Sequence, residues 1–312
     1  MKKILFATTA LVASAGFASA EIKLSGMGEI GIVGGDAYGN ETQLWTDVDV
    51  TFSMTGEADN GLAFGAKVDL DENGAFAGTT QGGETLFIAY GNFRLEMGDT
   101  DGALDAALTE IGIGSSIDDA HTTHTGFNGN SALDGTYDGQ IARFQYTASS
   151  FTGHLSVEID DSGVGDPVWG LGVAYNADLG GTALGIGLGY QTTDVNGSTA
   201  GGGIDVWGVS LSAKMANGIQ AIVNYMEGDY GTANNMTYWG VGLGYSMNAL
   251  TIGVNYGEYG DIAGVAGADT SGFGLAVDYD LGGGLQAQLG YGQSDLGVVE
   301  VDQWSLGLAM SF

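Results

Sequence analysis

The 312-residue sequence has no cysteine, one proline and few basic residues, with 7 lysines and arginines against 38 aspartates and glutamates. Without cysteine, the chain forms neither a disulfide framework nor a cysteine-liganded zinc site. The formal net charge of −31 excludes nucleic acid as a partner, because binding to phosphates relies on basic side chains that release counterions. Beyond the N-terminus, no apolar run reaches the ~20 residues of a transmembrane helix.

Glycine and apolar residues are abundant. The chain contains 58 glycines, and each glycine in a helix interior costs roughly 1 kcal/mol relative to alanine, so a helical bundle is excluded. Apolar residues make up 44% of the chain, which is too many for a disordered polyanion. The composition therefore predicts a folded protein that is not a helical bundle and that has a large apolar surface to shield.

The first twenty residues have the three parts of a secretory signal peptide. Lys2 and Lys3 supply the basic region, residues 4–12 form the apolar region, and Ala18 and Ala20 place small residues before the cleavage site. The apolar stretch is shorter than the ~20 residues that a membrane anchor needs. The sequence predicts export, a signal peptide of residues 1–20 that is cleaved, and a mature domain of residues 21–312.

Large apolar residues alternate with small or polar ones through most of the mature chain. At the C-terminus, Trp304, Leu306, Leu308, Met310 and Phe312 form such a series, which gives a strand one apolar and one polar face. Runs of this kind predict sixteen strands, at residues 22–33, 44–56, 61–71, 83–90, 93–97, 141–148, 151–160, 167–177, 182–192, 204–215, 219–229, 236–246, 250–260, 270–280, 285–294 and 302–312.

Short and long connections alternate between these predicted strands, as they do in outer-membrane barrels with short periplasmic turns. A soluble sandwich is disfavoured, because the continuous face is apolar and the other face is mostly small residues. In a membrane, lipid covers the apolar band and ring closure removes unpaired sheet edges. The prediction is a transmembrane antiparallel β-barrel of 16 strands in the outer membrane of a Gram-negative bacterium, surrounded by outer-membrane lipid.

Tyrosines near strand ends share the apolar side, which is typical of an interfacial aromatic girdle, although strand propensity explains any single one. They are Tyr90, Tyr175, Tyr190, Tyr225, Tyr245, Tyr256, Tyr279 and Tyr291.

The one proline, Pro167, stands at a predicted strand start, where its missing backbone N–H costs no hydrogen bond between strands. Both observations agree with the barrel.

Several short motifs stand out along the mature chain: residues 21–26 (EIKLSG), 61–66 (GLAFGA), 93–99 (FRLEMGD) and 279–284 (YDLGGG), and the terminal Phe312. Together they resemble motifs of the porins of Rhodobacter and related alphaproteobacteria. The resemblance covers the whole mature chain in architecture. It implies a homotrimer of sixteen-stranded barrels, each a water-filled pore for passive diffusion of ions and small hydrophilic solutes, with the third loop folded inward as a constriction and calcium commonly bound.

Two further expectations come from this resemblance. In similar barrels a terminal aromatic residue serves as the insertion signal, so Phe312 is expected to be needed for assembly. Family members carry a richer basic cluster than this chain does, so strong anion handling is not expected here.

The connection at residues 98–140 is far longer than the others, and such loops are usually functional or disordered. A sixteen-stranded lumen is wide enough to admit it. We expect a constriction loop, with a short helix around residues 103–110; the alternative is a mobile external loop. Its acidic candidates are Asp99, Asp101, Asp105, Glu110, Asp118 and Asp119.

The basic residues of the mature chain all fall on the lumen side of the predicted strands. They are Lys23, Lys67, Arg94, Arg143 and Lys214. Lipid would enforce this placement anyway, at roughly 2–4 kcal/mol per midplane charge, so it indicates orientation. Arg94 and Arg143 flank the long loop. They either set up a transverse field opposite the acidic loop or form ion pairs that pin the loop to the wall.

Acids outnumber bases on the predicted lumen wall, which favours a moderately cation-selective pore. The acidic wall residues are Glu29, Asp47, Asp49, Asp69, Asp71, Glu96, Glu158, Asp160 and Asp278. The acidic loops also offer oxygen ligands for Ca²⁺, although no particular site is indicated. His121 and His124 have the spacing of a transition-metal pair on a helix, but solvated histidines are the simpler interpretation.

Catalysis has no support, because the sequence lacks a GxSxG elbow, an HExxH helix and a phosphate loop. The chain is therefore predicted not to be an enzyme and to need no cofactor. An alternative function is an exported, calcium-binding structural or adhesive β-protein rich in Gly and Asp. That class predicts tandem GGxGxD nonapeptides, and the sequence contains no such array.

Overall fold

The computed structural model describes residues 20–71, 80–117, 124–194 and 203–312. Residues 1–19 lie outside these ranges, so the signal peptide stays a prediction. Within the described ranges the chain forms sixteen strands: β1 (Glu21–Gly34), β2 (Gln43–Glu57), β3 (Ala63–Asp71), β4 (Thr80–Tyr90), β5 (Phe93–Asp99), β6 (Gln140–Ala148), β7 (Phe151–Glu158), β8 (Val168–Asp178), β9 (Thr182–Thr193), β10 (Ile204–Met215), β11 (Ile219–Asp229), β12 (Met236–Met247), β13 (Leu250–Gly260), β14 (Thr270–Gly282), β15 (Leu285–Asp295) and β16 (Glu300–Ser311).

The strands form one closed ring in which each strand pairs antiparallel with its neighbours in sequence. The ring closes where β1 pairs with β16, from Met27 opposite Ser311 to Gly34 opposite Trp304. The terminal Phe312 extends this pairing, because its N–H donates to the carbonyl of Gly26 at 2.9 Å. The predicted barrel of 16 antiparallel strands is confirmed.

One rim of the barrel is made of tight turns. The connections β4–β5, β6–β7 and β12–β13 contain two residues each, and Gly91, Ser149 and Asn248 adopt positive φ values of 58°, 55° and 53° there. Two-residue hairpins favour turns with positive φ, because their twist matches that of the flanking strands. These short connections lie where the predicted alternation of short and long connections placed them.

Side chains alternate between the outside of the barrel and its lumen, as expected for strands. In β8, the outward residues Trp169, Leu171 and Val173 are 49%, 57% and 47% exposed, whereas Gly170 and Gly172 between them are buried. The other strands show the same apolar outward face. No described helix has the length and apolar character to cross a membrane.

The hydrophobic core lies inside the barrel, between the long β5–β6 connection and the wall. Leu104 and Leu133 of the connection pack with wall residues of β8, β10, β11 and β12. A second cluster joins Ile111 and Ile113 to Ile222 of β11. Part of the lumen is therefore filled by protein.

Two expectations about local structure were wrong in detail. The helix expected at residues 103–110 is a single 3₁₀ turn, Asp105–Ala107. Strand β7 ends at Glu158, so Asp160 does not lie on the lumen wall. Its carboxylate accepts the N–H groups of Ser162, Val164 and Gly165, and these bonds stabilise a loop in place of a longer strand.

Candidate functional site

The long connection between β5 and β6 runs around the inner wall of the barrel. We call its described parts the belt, with an outgoing arm at residues 101–117 and a return arm at residues 124–139. The outgoing arm passes β7 to β16 in order and ends against β1. Hydrogen bonds join it to the wall at Ala103–Ser156, Thr109–Ser210, Thr109–Asn224, Ser115–Asp278 and Ser115–Gln288. The loop is thus inside the barrel rather than external.

The return arm follows the same wall back to β6. His124 contacts Asn255 of β13, with 2.5 Å between Nε2 and Oδ1, and the N–H of Leu133 donates to Gln191 of β9 at 2.9 Å. Near the end of the arm, Glu158 of β7 accepts the N–H groups of residues 136, 137 and 139 at 2.9–3.2 Å. This carboxylate fixes the point where the belt rejoins the strands.

Apolar residues of the belt point toward the wall. Leu104, Ile111 and Ile117 are fully buried, as is Ala103, and Ile113 is nearly so. The strands beneath contribute mainly small or uncharged side chains. We call the lumen-facing residues of β7–β16 the covered wall and those of β1–β6 the charged wall.

The charged wall lies across the ring from β10–β13 and carries ion pairs along its strands. Lys67 pairs with Asp69 at 2.7 Å, and Arg94 Nε pairs with Glu96 at 2.7 Å while its guanidinium lies 3.8 Å from the centre of the Phe87 ring. The side chains of Lys67 and Arg94 are 53% and 33% exposed. These charges face open lumen.

Arg143 on β6 links the charged wall to the belt. Its guanidinium donates to the carbonyl of Asp101 at 3.0 Å and lies 3.6 Å from the Asp101 carboxylate and 3.8 Å from Glu96. The remaining predicted bases, Lys23 and Lys214, lie on strands near the short-turn rim.

Acidic residues of β1–β3 face one another across neighbouring strands. Glu29 stands opposite Asp47, and Asp49 stands opposite Asp71. Like charges at directly opposite positions destabilise a sheet. One carboxylate oxygen from each of Asp47, Asp49 and Asp71 lies within 4.8 Å of the other two. This part of the wall concentrates negative charge.

The predicted acidic loop residues divide into three groups. Asp101, Asp105 and Glu110 lie on the outgoing arm. Asp99 is instead the last residue of β5, on the same strand parity as the outward-facing Phe93 and Met97, because the strand extends two residues further than predicted. Asp118 and Asp119 lie outside the described residues, as does His121.

Two belt carboxyls have raised pKa values. Burial raises the pKa of Asp105 to about 8, with the negative charges of Asp101, Asp134 and Glu110 adding to the effect and Arg143 opposing it. Burial also raises the pKa of Asp134 to about 6, although hydrogen bonds from Gly102 and Gln191 oppose this shift. Near neutral pH, Asp105 therefore carries mostly a proton.

Sequence reasoning missed the residues that hold the belt in place. Asp134 joins the two arms, because it accepts the N–H of Gly102 at 2.7 Å and the side-chain amide of Gln191 at 2.5 Å. Glu158 and Asp278 appeared only as wall acids, yet both accept belt N–H groups. The alternation of side chains along a strand shows that a residue faces the lumen, but it does not show which part of the long loop lies against that residue.

The two described histidines, His124 and His154, are buried side chains. His124 is buried beside Asn255 and Phe127, and burial lowers its pKa. His154 faces the lumen from β7 and is also buried. Neither arrangement brings together a set of transition-metal ligands among the described residues.

Comparisons with known proteins agree with this geometry. The sequence profile of Gram-negative porins matches residues 7–297. A porin of Rhodobacter capsulatus is 26% identical over 301 residues, covering 88% of this chain and 95% of that protein. A porin of Fuscovulum blasticum is 26% identical over 278 residues, covering 85% and 92%.

Solved structures show the same architecture. A porin structure refined at 1.8 Å resolution matches with a TM-score of 0.73 and 21% identity, covering 94% of this chain and 100% of that chain. A triple mutant of Rhodopseudomonas blastica porin matches with a TM-score of 0.65 and 21% identity over the same shares. At these identities the likeness shows the fold alone.

Proposed function

Because the chain belongs to the Gram-negative porin family, and is therefore an outer-membrane channel protein rather than an enzyme, we propose that its channel passes ions and small hydrophilic solutes by passive diffusion and prefers cations. The family also decides against the alternative of an adhesive calcium-binding β-protein. The observation that carries the proposal is the asymmetric lumen, in which the belt covers one wall and charged side chains line the other.

The belt acts as the constriction of the channel. It is held against β7–β16, so the passage runs between the belt and the charged wall. Solutes that pass this point meet Lys67, Asp69 and Arg94 on one side and Asp101 on the other. Polar groups on both sides favour hydrated solutes over apolar ones.

Cation preference follows from the charges at this passage. Asp49 and Asp71 give β1–β3 an excess of negative charge at the passage, the buried Glu29 and Asp47 add to it from within the wall, and Asp101 exposes 63% of its side chain. The bases are paired with acids, which reduces their attraction for anions. Such a lumen concentrates cations over a Debye length of about 10 Å at 0.1 M salt.

The two arginines serve different purposes in this proposal. Arg143 pins the start of the belt, because it contacts both the carbonyl and the carboxylate of Asp101. Arg94 is more exposed and stacks on Phe87, so its charge acts on the passage. The transverse field and the pinning interaction thus coexist.

The test is the reversal potential of the purified protein in a planar bilayer under a potassium chloride gradient. We expect a moderate cation preference that weakens as salt rises, because the charges are screened. An anion-selective channel would show that the charges are misassigned. A barrel that inserts but carries no current would contradict the channel itself.

We also propose that the protein is a homotrimer that associates through the outer surface of β1–β5. Each strand from β8 to β16 places one outward aromatic near its long-loop end: Trp169, Tyr190, Trp207, Tyr225, Trp239, Tyr256, Phe273, Tyr291 and Trp304. On β1, β2, β3 and β5 the corresponding residues are Ile32, Leu44, Leu70 and Met97. Outward aromatic residues near strand ends mark the interface between lipid and water. Their absence from β1, β2, β3 and β5 favours contact of these strands with protein and not with lipid.

Two shallow apolar grooves on this sector support the same contact. Cysteine cross-linking tests it, because the chain has no native cysteine. Ile88→Cys on β4 should form cross-linked oligomers with a short bismaleimide, and Val223→Cys on β11 should not. Equal cross-linking of the two outward positions would contradict the assignment.

Calcium binding stays a prediction, to be tested by equilibrium dialysis with Ca²⁺ alone. The carboxylates of Asp47, Asp49 and Asp71 are the described place where three acids converge, although Ca²⁺ takes six to eight oxygens and water would have to supply others.

Assembly through Phe312 also stays a prediction. Deletion of Phe312 should sharply lower the amount of heat-modifiable protein in the membrane.

A further inference from the structure

The wall beneath the outgoing arm carries glycine wherever the arm approaches most closely. An ideal Cβ built on these glycines would lie less than 3.0 Å from an atom of the belt. Six of these glycines are Gly172 of β8, Gly187 of β9, Gly208 of β10, Gly242 of β12, Gly253 of β13 and Gly307 of β16.

At four of these positions the obstructing atom belongs to the belt backbone. The carbonyl oxygens of Ala103 and Ala107 lie over Gly172 and Gly187, and those of Ile111 and Ile113 lie over Gly242 and Gly253. A side chain can rotate away from an added methyl group, whereas a backbone carbonyl held by neighbouring contacts cannot. The belt backbone therefore rests directly on the Cα surface of the wall.

Strand conformation does not account for these glycines. Positive φ is the usual backbone reason for glycine, and none of the six residues has it. Glycine in a strand interior weakens the strand and often marks a place where another backbone approaches closely. Here that backbone is the outgoing arm.

We propose that these glycines form a track that seats the belt and thereby sets the open cross-section of the channel. The inference rests on the proposed role of the belt as the constriction. Ser156 and Ser210 accept N–H groups of the belt, and Asn224 and Gln288 donate to it, so these polar anchors hold the belt at the same depth as the track. Side chains on the track would displace the belt toward the charged wall and narrow the passage.

Alanine substitutions test the track by conductance in planar bilayers. Gly242→Ala and Gly253→Ala are expected to lower single-channel conductance, by on the order of tens of per cent, because packed interiors transmit the displacement of one methyl group. Gly208→Ala should have a smaller effect, since the two atoms nearest its added Cβ belong to the flexible side chains of Leu108 and Met226 and not to a backbone. The control for the glycine-to-alanine change itself is Gly153→Ala on the outward face of β7, where no atom lies within 4 Å of the added Cβ.

A thiol probe reports the seating of the belt separately from conductance. Ala107 is buried between the belt and the wall, so a hydrophilic maleimide should label Ala107→Cys slowly. Adding Gly187→Ala should speed the labelling, while adding Gly153→Ala should not. Heat-modifiable migration on a detergent gel confirms for each variant that the barrel is closed.

The inference is supported if the track variants lower conductance and the thiol of Ala107→Cys labels faster beside Gly187→Ala. It is overturned if folded Gly208→Ala, Gly242→Ala and Gly253→Ala barrels all conduct like the wild type and labelling is unchanged. A wild-type protein without channel activity would instead contradict the proposed function, so the two failures are distinguishable.

Discussion

The covered wall and the charged wall belong to one barrel with one strand pattern, yet they differ in burial and charge. Gln191, Ser210 and Asn224 of the covered wall are at most 1% exposed. Lys67 and Arg94 of the charged wall keep 53% and 33% of their side chains exposed. The difference shows that one side of the lumen holds the belt, while the other lines the passage.

The two walls also solve different physical problems. Polar groups buried under the belt need hydrogen-bond partners. Serine, asparagine and glutamine side chains supply most of them to the belt backbone without a charge to desolvate, and Glu158 and Asp278 supply charged acceptors. The exposed charges remain hydrated, so their burial cost is small. The following variants break or sharpen this division, from the largest expected effect to the smallest.

Removing the belt should abolish the difference between the walls. The deletion removes residues 103–133 and joins Gly102 to Asp134, two residues that already contact each other through the Gly102 N–H and the Asp134 carboxylate at 2.7 Å. We expect conductance to rise by on the order of two-fold or more, because a sixteen-stranded barrel encloses a wide lumen. Unchanged conductance in a heat-modifiable deletion variant would show that the belt does not narrow the channel.

Loosening the return arm should have a smaller effect. Glu158→Gln removes the negative charge of a side chain that accepts three backbone N–H groups of the belt. Hydrogen bonds to charged groups contribute about 1.5–3 kcal/mol each to the stability of the fold. We expect greater current noise and faster proteolysis within residues 124–139. The control is Asp69→Asn on the charged wall, which contacts Lys67 and Thr51. Equal noise in both variants would argue against the anchoring role of Glu158.

Charge reversal on the charged wall should change selectivity without changing the fold. Arg94→Glu is expected to raise the cation preference, because it replaces a positive charge beside the passage with a negative one. Lys214→Glu makes the same charge change near the short-turn rim and should shift the reversal potential less. If the two variants shift the reversal potential equally, Arg94 has no special place in the passage.

Raising the pH should produce the smallest effect. Burial holds the pKa of Asp105 at about 8, so the carboxyl is mostly neutral at pH 7 and ionised at pH 9. Cation preference should therefore rise slightly across this interval, and Asp105→Asn should remove that increment. Because the folded pKa lies above the unfolded value, the protonated carboxyl favours the folded state at low pH, and this advantage is lost as pH rises from about 4 to 8. A pH response that persists unchanged in Asp105→Asn would assign it to another group.

The barrel was predictable from sequence because its signals are local. Alternation along runs such as Trp304 to Phe312 identifies strands and their outward side, and the alternating lengths of the connections identify the short rim. The long connection stood out by length. Predicted and observed strand ends differ by at most three residues.

The candidate site was predictable only in part, because its contacts join residues far apart in sequence. Placing five bases on the lumen side needed parity alone, but the contact between Arg143 and Asp101 depends on how the belt enters the lumen. Errors arose at strand ends, where Asp99 and Asp160 left the expected parity or strand. The glycines beneath the belt look like ordinary strand glycines until the belt backbone is placed over them.

The central claim is that the passage runs along the charged wall and not along the covered wall. A matched pair of single cysteines tests it directly, because the chain has no native cysteine. Ser53→Cys lies on β2 of the charged wall, and Ser210→Cys lies on β10 beneath the belt. A negatively charged thiosulfonate reagent should modify Ser53→Cys and reduce its conductance while leaving Ser210→Cys unmodified in the folded barrel. Equal modification of both cysteines, or block through Ser210→Cys alone, would contradict this account.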